Sequence, residues 1–408
     1  MCPKLYGVST VHEFKTTDFV AARENGRGVV LHTPVVPSAF LSETFSSHIV
    51  LKAENLQRTG AFKIRGGMNK LAALGDRAKQ GVVAGSAGNH AQGLALAAAT
   101  FGVKCEIFVP KGASLTKIAA CRHYGATVLE GGENVEVAVQ SAMDRASETG
   151  MAFCHPYDDE FVVAGQATLG LELLEDIDEL DTVIVPLGGG GLLSGTAIAI
   201  KQQRPSVRVI GAQIEGCDPY VTGRIPSEAI TTLADGIAVK QPGKVTKPLI
   251  EHWVDDVVSV EENLVADAMV MLMERSKLFV EGGGAVGLSA LMANKIKLNA
   301  SGVTCLVLSG GNADIGLIPN LIRRHETKVD RRLILAARLP DRPGALVELL
   351  KVCADLSANI IELQHVREGI ELHVRETMIR LVLETRGADH AGEIRAGLEK
   401  LGYLNEYS

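Results

Sequence analysis

Apolar and polar positions alternate between two kinds of segment from about residue 80 to residue 320. Short runs rich in β-branched residues end at glycine or serine, and alanine-rich stretches with helical spacing follow them. The apolar runs occupy residues 82–84, 106–109, 182–185, 207–214 and 303–308. This alternation predicts an α/β fold with a doubly wound sheet, in which ligands bind beyond the carboxyl ends of the strands.

The pattern changes near residue 323. Residues 323–332 are mostly charged, which predicts a solvated linker. Residues 333–337 then alternate as in a strand, and a turn at 341–344 leads into a helix with Asp341 as its predicted N-cap. The remaining predicted elements are strands near 359–366 and 376–384, a helix between 391 and 401, and a last short strand near Tyr403. The order βαββαβ predicts a ferredoxin-like segment over 333–408.

Composition restricts the possible partners. Hydrophobic residues make up 46% and charged residues 22% of the 408 residues, as in soluble globular proteins. The net charge is −7 without a basic block, which argues against nucleic acid or an anionic membrane as the main partner. The uncharged stretch 182–200 contains Pro186 and four consecutive glycines, so it predicts a strand, a loop and a helix rather than a membrane span.

The cysteines indicate the compartment. Seven are scattered along the chain without a CxxC pair, which favours neither a disulfide framework nor a zinc site. A reducing cytoplasm is therefore expected.

Lys63 is the first candidate for chemistry. It lies in an apolar segment flanked by Gly60 and Gly66. Desolvation disfavours the ammonium form and makes the amine a nucleophile and a base. Most lysines are solvated surface charges, so this assignment depends on the loops that accompany it.

Four consecutive glycines follow the predicted strand at 182–185 and precede an apolar helix. Gly188, Gly189, Gly190, Gly191 and the following Leu192 are expected to bind a phosphate through backbone amides at the helix N-terminus. A tight helix–sheet crossing could also require glycine, but four in a row exceed that need. No Lys-Ser/Thr follows these glycines, so the loop is not a nucleotide P-loop, and GxGxxG spacing with an acidic ribose partner is missing from it.

Two further loops complete the predicted site. Ser86, Ala87, Gly88, Asn89 and His90 follow the strand at 82–84; either they only cap a helix, or Asn89 binds a phenolate oxygen and the loop amides hold a substrate carboxylate.

Ser309 follows the strand at 303–308. It could be only a turn former, or a neutral partner for a pyridine nitrogen, which gives a weaker electron sink than aspartate and suits β-elimination. A desolvated lysine, a phosphate loop and these groups together are the parts of a pyridoxal-phosphate site.

The motifs around Lys63, Asn89, the glycine loop, residues 234–239 and Ser309 resemble those of fold-type II pyridoxal-phosphate enzymes. The resemblance covers roughly residues 20–320 and is nearest to the threonine/serine dehydratases. It implies a catalytic domain over 1–322 built from two doubly wound α/β subdomains, the smaller one inserted at about 81–158. The 333–408 segment resembles an ACT regulatory domain.

The resemblance also implies roles for individual residues. Lys63 forms the Schiff base, Phe62 packs beside the ring, Asn89 meets the ring oxygen, and Ser309 meets the ring nitrogen. Glu281 lies near the ring. The phosphate is held by Gly188, Gly189, Gly190, Gly191 and Leu192. Substrate is bound by Ser86, Ala87, Gly88, Asn89 and His90, and an effector is bound by Asp341, Arg342, Pro343 and Gly344.

One departure from racemase relatives concerns metal binding. The divalent-ion site of serine racemases includes an acidic residue at the position of Val221 here, so no metal is expected.

The expected activity is the dehydration and deamination of L-threonine to 2-oxobutanoate and ammonia, with L-serine as a secondary substrate. A serine racemase or serine dehydratase remains the alternative. Racemases of this family carry a serine at the position of Ala87, and alanine has no exchangeable proton, which favours dehydration. The loop motifs argue against a threonine synthase-like or cysteine synthase-like enzyme. The intact Lys63 argues against a catalytically inactive amino-acid sensor. A branched-chain amino-acid effector and a homodimer or homotetramer are expected from the resemblance.

Overall fold

The structure is a computed structural model that describes residues 13–227, 230–367 and 372–403. The chain divides into two compact units, residues 1–314 and residues 315–408. Over its described residues, 13–227 and 230–314, the first unit contains twelve α-helices, α1 to α12: Thr16–Asn25, Ala39–Phe45, Lys63–Leu74, Asn89–Phe101, Leu115–His123, Val135–Thr149, Glu160–Asp176, Gly191–Gln203, Pro219–Thr222, Thr246–Trp253, Glu262–Met271 and Gly282–Met292. Its strands, β1 to β10, are Val35–Pro37, His48–Lys52, Val82–Gly85, Cys105–Val109, Thr127–Glu130, Ala152–Phe153, Leu180–Pro186, Arg208–Ile214, Asp256–Val260 and Val303–Val307.

The strands described in the first unit form two sheets. The larger has the order β1-β2-β10-β7-β8-β9 and is parallel except for the β1–β2 pair. The smaller has the order β5-β4-β3-β6 and is parallel throughout. The predicted strands at 82–84, 106–109, 182–185, 207–214 and 303–308 all appear within a residue or two of their expected ends.

Burial explains why these runs become strands. Most of β7 and β8 is buried, as expected for parallel strands covered on both faces by helices. The apolar core around the larger sheet contains β7, β10 and the α8 residues Leu192, Leu193 and Ala197. The smaller sheet lies inside the segment 81–158 that the resemblance implies to be an inserted subdomain; those boundaries stay a prediction.

The second unit contains α13 Ile318–Lys328, β11 Arg332–Pro340, α14 Ala345–Asp355, β12 Asn359–Val366, β13 Glu376–Glu384 and α15 Ala388–Glu399. Its antiparallel sheet has the order β11-β13-β12. Alternate residues of β11 and β13 form a core with α14 and α15, so the predicted alternation and the two predicted later strands are confirmed.

Some details of the second unit were predicted wrongly. Residues 323–328 of the expected linker are helical, because Leu321 is buried on one side of α13 while charged residues occupy the rest of that helix. Asp341 does not cap α14; Gly344 is the N-cap with φ +93°, and the Asp341 carboxylate instead pairs with Arg367 at 3.2 Å. Tyr403 is not in a strand, although its carbonyl accepts a hydrogen bond from the N–H of Arg338, and residues 404–408 lie outside the described residues.

Candidate active site

Lys63 is the first residue of α3, where the chain passes close to α4. A Cβ on Gly93 of α4 would lie 3.1 Å from Cβ of Lys63 and 2.9 Å from its carbonyl carbon, so only glycine allows this crossing. The Lys63 amine donates a hydrogen bond to the carbonyl oxygen of Pro156 (2.8 Å) and lies 5.1 Å from the ring centre of Phe62. The side chain is therefore fixed at both its base and its tip.

The environment of Lys63 changes its basicity. Burial lowers the pKa of the Lys63 amine to about 8, and the nearby Glu281 carboxylate opposes this shift in part. The residue is partly exposed, but the amine itself is closely surrounded by protein. The unprotonated fraction of the amine near neutral pH is thus much larger than that of an ordinary lysine.

The segment that carries Lys63 is joined to the loop after β10. The N–H of Phe62 donates to the carbonyl oxygen of Ser309 (3.1 Å), and the N–H of Gly311 donates to the carbonyl oxygen of Gly60 (2.8 Å). Ala61 and Gly310 form an antiparallel bridge between these two hydrogen bonds. Ser309, which is 3% exposed, is therefore held opposite Phe62.

Asn89 and Glu281 meet at the ends of two helices. Asn89 begins α4, Glu281 immediately precedes α12, and Nδ2 of Asn89 donates to Oε1 of Glu281 (2.6 Å). Burial raises the pKa of Glu281 to about 7, and the charge of Asp235 adds to this effect. The hydrogen bond from Asn89 and the charges of Lys117 and Lys63 counteract it. Glu281 can therefore carry a proton near neutral pH.

The four glycines join β7 to α8. Gly190 is the N-cap of α8 with φ +91°, a conformation that strongly favours glycine. A Cβ on Gly189 would lie 2.2 Å from the ring of Tyr157, and a Cβ on Gly188 would lie 2.8 Å from Cα of Ile237. The loop is thus a cradle at a helix N-terminus whose first amides have no partner within the helix, as required for phosphate binding.

The loop before α4 does not act as a simple cap. Gly88 is the N-cap of α4 without a side-chain hydrogen bond, and the Ser86 hydroxyl accepts from the N–H of Gly88 (3.3 Å) instead. The alternative of helix capping by Ser86 or Asn89 is therefore wrong. His90 is buried, and its Nε2 donates to the carbonyl oxygen of Cys154 (2.9 Å). Burial and the charge of Lys63 lower the pKa of His90 to about 3, so it is neutral.

The sequence prediction missed residues 154–158. This segment provides the Pro156 carbonyl for Lys63, and Tyr157 packs against Gly189 of the phosphate loop. Asp158 accepts hydrogen bonds from the backbone N–H groups of Lys244 (2.8 Å) and Val245 (2.7 Å), before α10. A signal was present, because the segment follows β6 of the smaller sheet, as the loop from Ser86 to His90 follows β3 of the same sheet.

The remaining predicted residues have these positions. Leu192 is buried in the first turn of α8. Asp341, Arg342, Pro343 and Gly344 form the loop between β11 and α14, where Arg342 pairs with Glu348 (3.0 Å). Over residues 13–227, 230–367 and 372–403 no cluster of three or more histidine, cysteine or acidic residues is arranged to hold a metal, and the expected absence of a metal stays a prediction. No helix in the same ranges is long and apolar enough to cross a membrane.

These groups fit pyridoxal phosphate. A lysine amine of lowered pKa, an amide donor, a buried serine and a glycine cradle match the aldehyde, hydroxyl, ring nitrogen and phosphate of the cofactor. Residues 27–310 match the sequence profile of the pyridoxal-phosphate dependent enzyme family. The chain belongs to this family, and pyridoxal phosphate is its cofactor.

Three relatives show which members of this family the chain is similar to. An L-threonine ammonia-lyase of Thermotoga maritima is 43% identical over 95% of this chain and 97% of its own length. The solved structure of maize serine racemase has a TM-score of 0.71 at 34% identity and covers 77% of this chain and 98% of that one. The solved structure of a threonine deaminase from T.th. has a TM-score of 0.69 at 36% identity and covers 73% of this chain and 98% of that one.

Proposed function

We propose that the chain is an L-threonine ammonia-lyase, which converts L-threonine to 2-oxobutanoate and ammonia and accepts L-serine more slowly, giving pyruvate. The observation that carries the substrate assignment is the 43% identity to the L-threonine ammonia-lyase of Thermotoga maritima over 95% of the chain. The site supplies the groups that this reaction requires.

Lys63 has two tasks in this proposal. In the resting enzyme its amine holds the cofactor, and during turnover the same amine removes the proton from Cα of the substrate. The pKa of about 8 leaves the amine both nucleophilic and able to accept a proton near neutral pH. Bound pyridoxal phosphate supplies the electron sink that makes Cα acidic.

The other residues bind and orient. The amides of the glycine cradle hold the phosphate, Asn89 donates to the ring oxygen, and Ser309 offers a hydroxyl to the ring nitrogen. The Ser309 hydroxyl makes the cofactor ring less electron-withdrawing than an aspartate would. This weaker electron sink is sufficient when the β-hydroxyl of the substrate leaves promptly. The amides of the loop from Ser86 to His90 bind the substrate carboxylate.

A second candidate is a serine racemase or serine dehydratase, favoured by the fold match to maize serine racemase. Ala87 argues against racemisation because its methyl group cannot return a proton to Cα on the face away from Lys63.

Keto-acid formation from L-threonine and L-serine, followed together with chiral analysis of the remaining serine, separates these functions. The proposal predicts a higher kcat/KM for L-threonine and no D-serine. A preference for L-serine, or D-serine formed faster than pyruvate, would contradict it.

We also infer that the second unit is an ACT domain that binds a branched-chain amino acid, isoleucine or valine, at the loop from Asp341 to Gly344. The similarity to the Thermotoga maritima relative covers 95% of the chain and therefore extends into the second unit. The N-cap of α14 is a glycine, and the first backbone amides of that helix are available to bind a carboxylate. Calorimetry of the full chain with each amino acid tests this inference. A cytoplasmic location and a homodimer or homotetramer belong to the same proposal.

A further inference from the structure

Asn312 connects the two segments that carry the predicted cofactor ligands. Its Nδ2 donates to the carbonyl oxygen of Thr59 (2.8 Å) and to Oδ1 of Asn89 (2.8 Å). Thr59 lies in the segment that leads to Lys63, and Asn89 begins α4. The side chain of Asn312 therefore ties both segments to the loop after β10.

These contacts determine which way the Asn89 amide points. The carbonyl oxygen of Thr59 can only accept, so the nitrogen of Asn312 must face it, and the same nitrogen donates to Asn89. The oxygen of Asn89 therefore faces Asn312, and its nitrogen faces Glu281 at 2.6 Å. One N–H of Asn89 is left for a group bound in the site.

Glu281 alone does not fix this orientation. An ionised Glu281 only accepts hydrogen bonds and requires the Asn89 nitrogen, but a protonated Glu281 can donate to the Asn89 oxygen. Because the pKa of Glu281 is about 7, both forms are present near neutral pH. Asn312 does not titrate, and its direction is set by a backbone carbonyl.

The position of Asn312 is sterically defined as well. Gly60 has φ +70°, and a Cβ there would lie 2.6 Å from Oδ1 of Asn312. The amide oxygen is therefore seated directly against a glycine backbone, in a conformation that larger residues rarely adopt.

We propose that Asn312 is a positioning residue that fixes the side-chain amide of Asn89 as a hydrogen-bond donor toward the ring oxygen of bound pyridoxal phosphate. This inference rests on the proposed contact between Asn89 and that oxygen. It assigns a role to Asn312, which lies three residues after Ser309 in the loop that follows β10.

The test compares Asn312→Asp with Asn55→Asp in the holoenzyme. Asn312→Asp keeps the shape of the side chain, but an ionised carboxylate cannot donate the hydrogen bonds to Thr59 and Asn89. Asn89 is therefore expected to turn its nitrogen toward the carboxylate at position 312. Asn55 is a matched control, because its Nδ2 donates to the carbonyl oxygen of Phe279 (3.0 Å) beside the same loop, and none of its described hydrogen bonds reaches Asn89. Asn312→Ser, which is uncharged, serves if the aspartate variant does not fold.

The expected results are measured without and with substrate. In Asn312→Asp the visible absorbance band of the bound cofactor weakens in favour of a band at shorter wavelength, and the dissociation constant of pyridoxal phosphate rises. The value of kcat/KM for L-threonine falls at least about tenfold, or about 1.4 kcal/mol. Asn55→Asp leaves the spectrum of the cofactor unchanged.

A double variant shows whether Asn312 acts through Asn89. If it does, adding Asn312→Asp to the Asn89→Ala variant changes the visible absorbance of the bound cofactor and its dissociation constant by less than about twofold. The reason is that the effects of coupled residues are not additive. The inference would be overturned if the effects of the two single substitutions multiplied in the double variant, or if Asn312→Asp had the wild-type spectrum. Either result would leave the role of Asn89 intact. An unchanged spectrum in Asn89→Ala would overturn both. Because the spectrum is recorded without substrate, a wrong substrate assignment would not affect this result.

Discussion

The lowered pKa of Lys63 gives a direct prediction for the cofactor-free enzyme. An ordinary lysine with a pKa of 10.5 has roughly 0.03% of its amine unprotonated at pH 7, whereas a pKa of about 8 raises this fraction to roughly 10%. At pH 7 the unprotonated fraction of Lys63, which is the form that reacts, is therefore about 300-fold larger than that of an unperturbed lysine. The cause is burial, which disfavours the ammonium form.

Brief acylation of the cofactor-free enzyme at a series of pH values, followed by mass spectrometry of the peptide containing Lys63, measures this titration. Half-maximal labelling is expected near pH 8. In Glu281→Gln the midpoint should fall further, because the carboxylate that raises the pKa of Lys63 is gone. A midpoint above pH 10 in the wild type would refute the desolvation argument.

The same shift affects the stability of the cofactor-free chain. Between pH 8 and pH 10.5 the unfolded chain holds a proton on Lys63 that the folded chain has lost, so the free energy of unfolding rises with pH over this window. At pH 7 the folded chain carries a poorly solvated ammonium group, and Lys63→Met should raise the melting temperature. Lys70 lies on the same helix as Lys63 and pairs with Asp159, so Lys70→Met should lower the melting temperature. Equal changes in both variants would contradict this explanation.

Three other predictions follow from the site and the fold. Ala87→Ser should introduce racemisation of serine while dehydration persists; absence of D-serine in a variant that still binds cofactor would argue against a proton donor at this position. A chain ending at Asp314 should remain active but lose any response to isoleucine or valine, and a retained response would place the effector site in the first unit. Arg65→Met should destabilise the enzyme by about 3–5 kcal/mol in denaturant unfolding, because the buried carboxylate of Glu54 loses its pair with Arg65 and that of Glu172 keeps its pair with Lys52 but loses that with Arg65; a loss below about 1 kcal/mol would show that this network contributes little.

Five of the ten strands described in the first unit and the three described in the second were predicted closely from the sequence, whereas β1, β2, β5, β6 and β9 were not predicted. Buried parallel strands require continuous apolar runs, and the half-exposed strands β11 and β13 of the second unit require alternation, so both patterns are visible in single segments. The strands β12 and β13 begin and end at the residues expected. Helix α13 was missed because its charged residues outweigh the few apolar positions that form its buried side.

The site was predictable only in part, because its contacts join distant segments. Lys63, Asn89 and the glycine loop lie in recognisable strand-to-helix junctions. The contact of Lys63 with Pro156 and that of Asn312 with Asn89 depend on how α3, α4 and the loops pack, which no local pattern reveals. The cap of α14 was also mispredicted, since aspartate and glycine both favour helix starts and the backbone geometry decides between them.

Chemical reduction of the holoenzyme tests the assignment of the site most directly. Borohydride makes the link between pyridoxal phosphate and its lysine permanent, and peptide mass spectrometry then identifies the residue. We predict a single modified peptide containing Lys63, and none in Lys63→Ala, which should also have lost turnover by more than the roughly 10²–10⁴-fold effect that is typical of a general base alone. Modification of another lysine, such as Lys52 or Lys70, or a Lys63→Ala variant that keeps a tenth of the activity, would contradict the assignment.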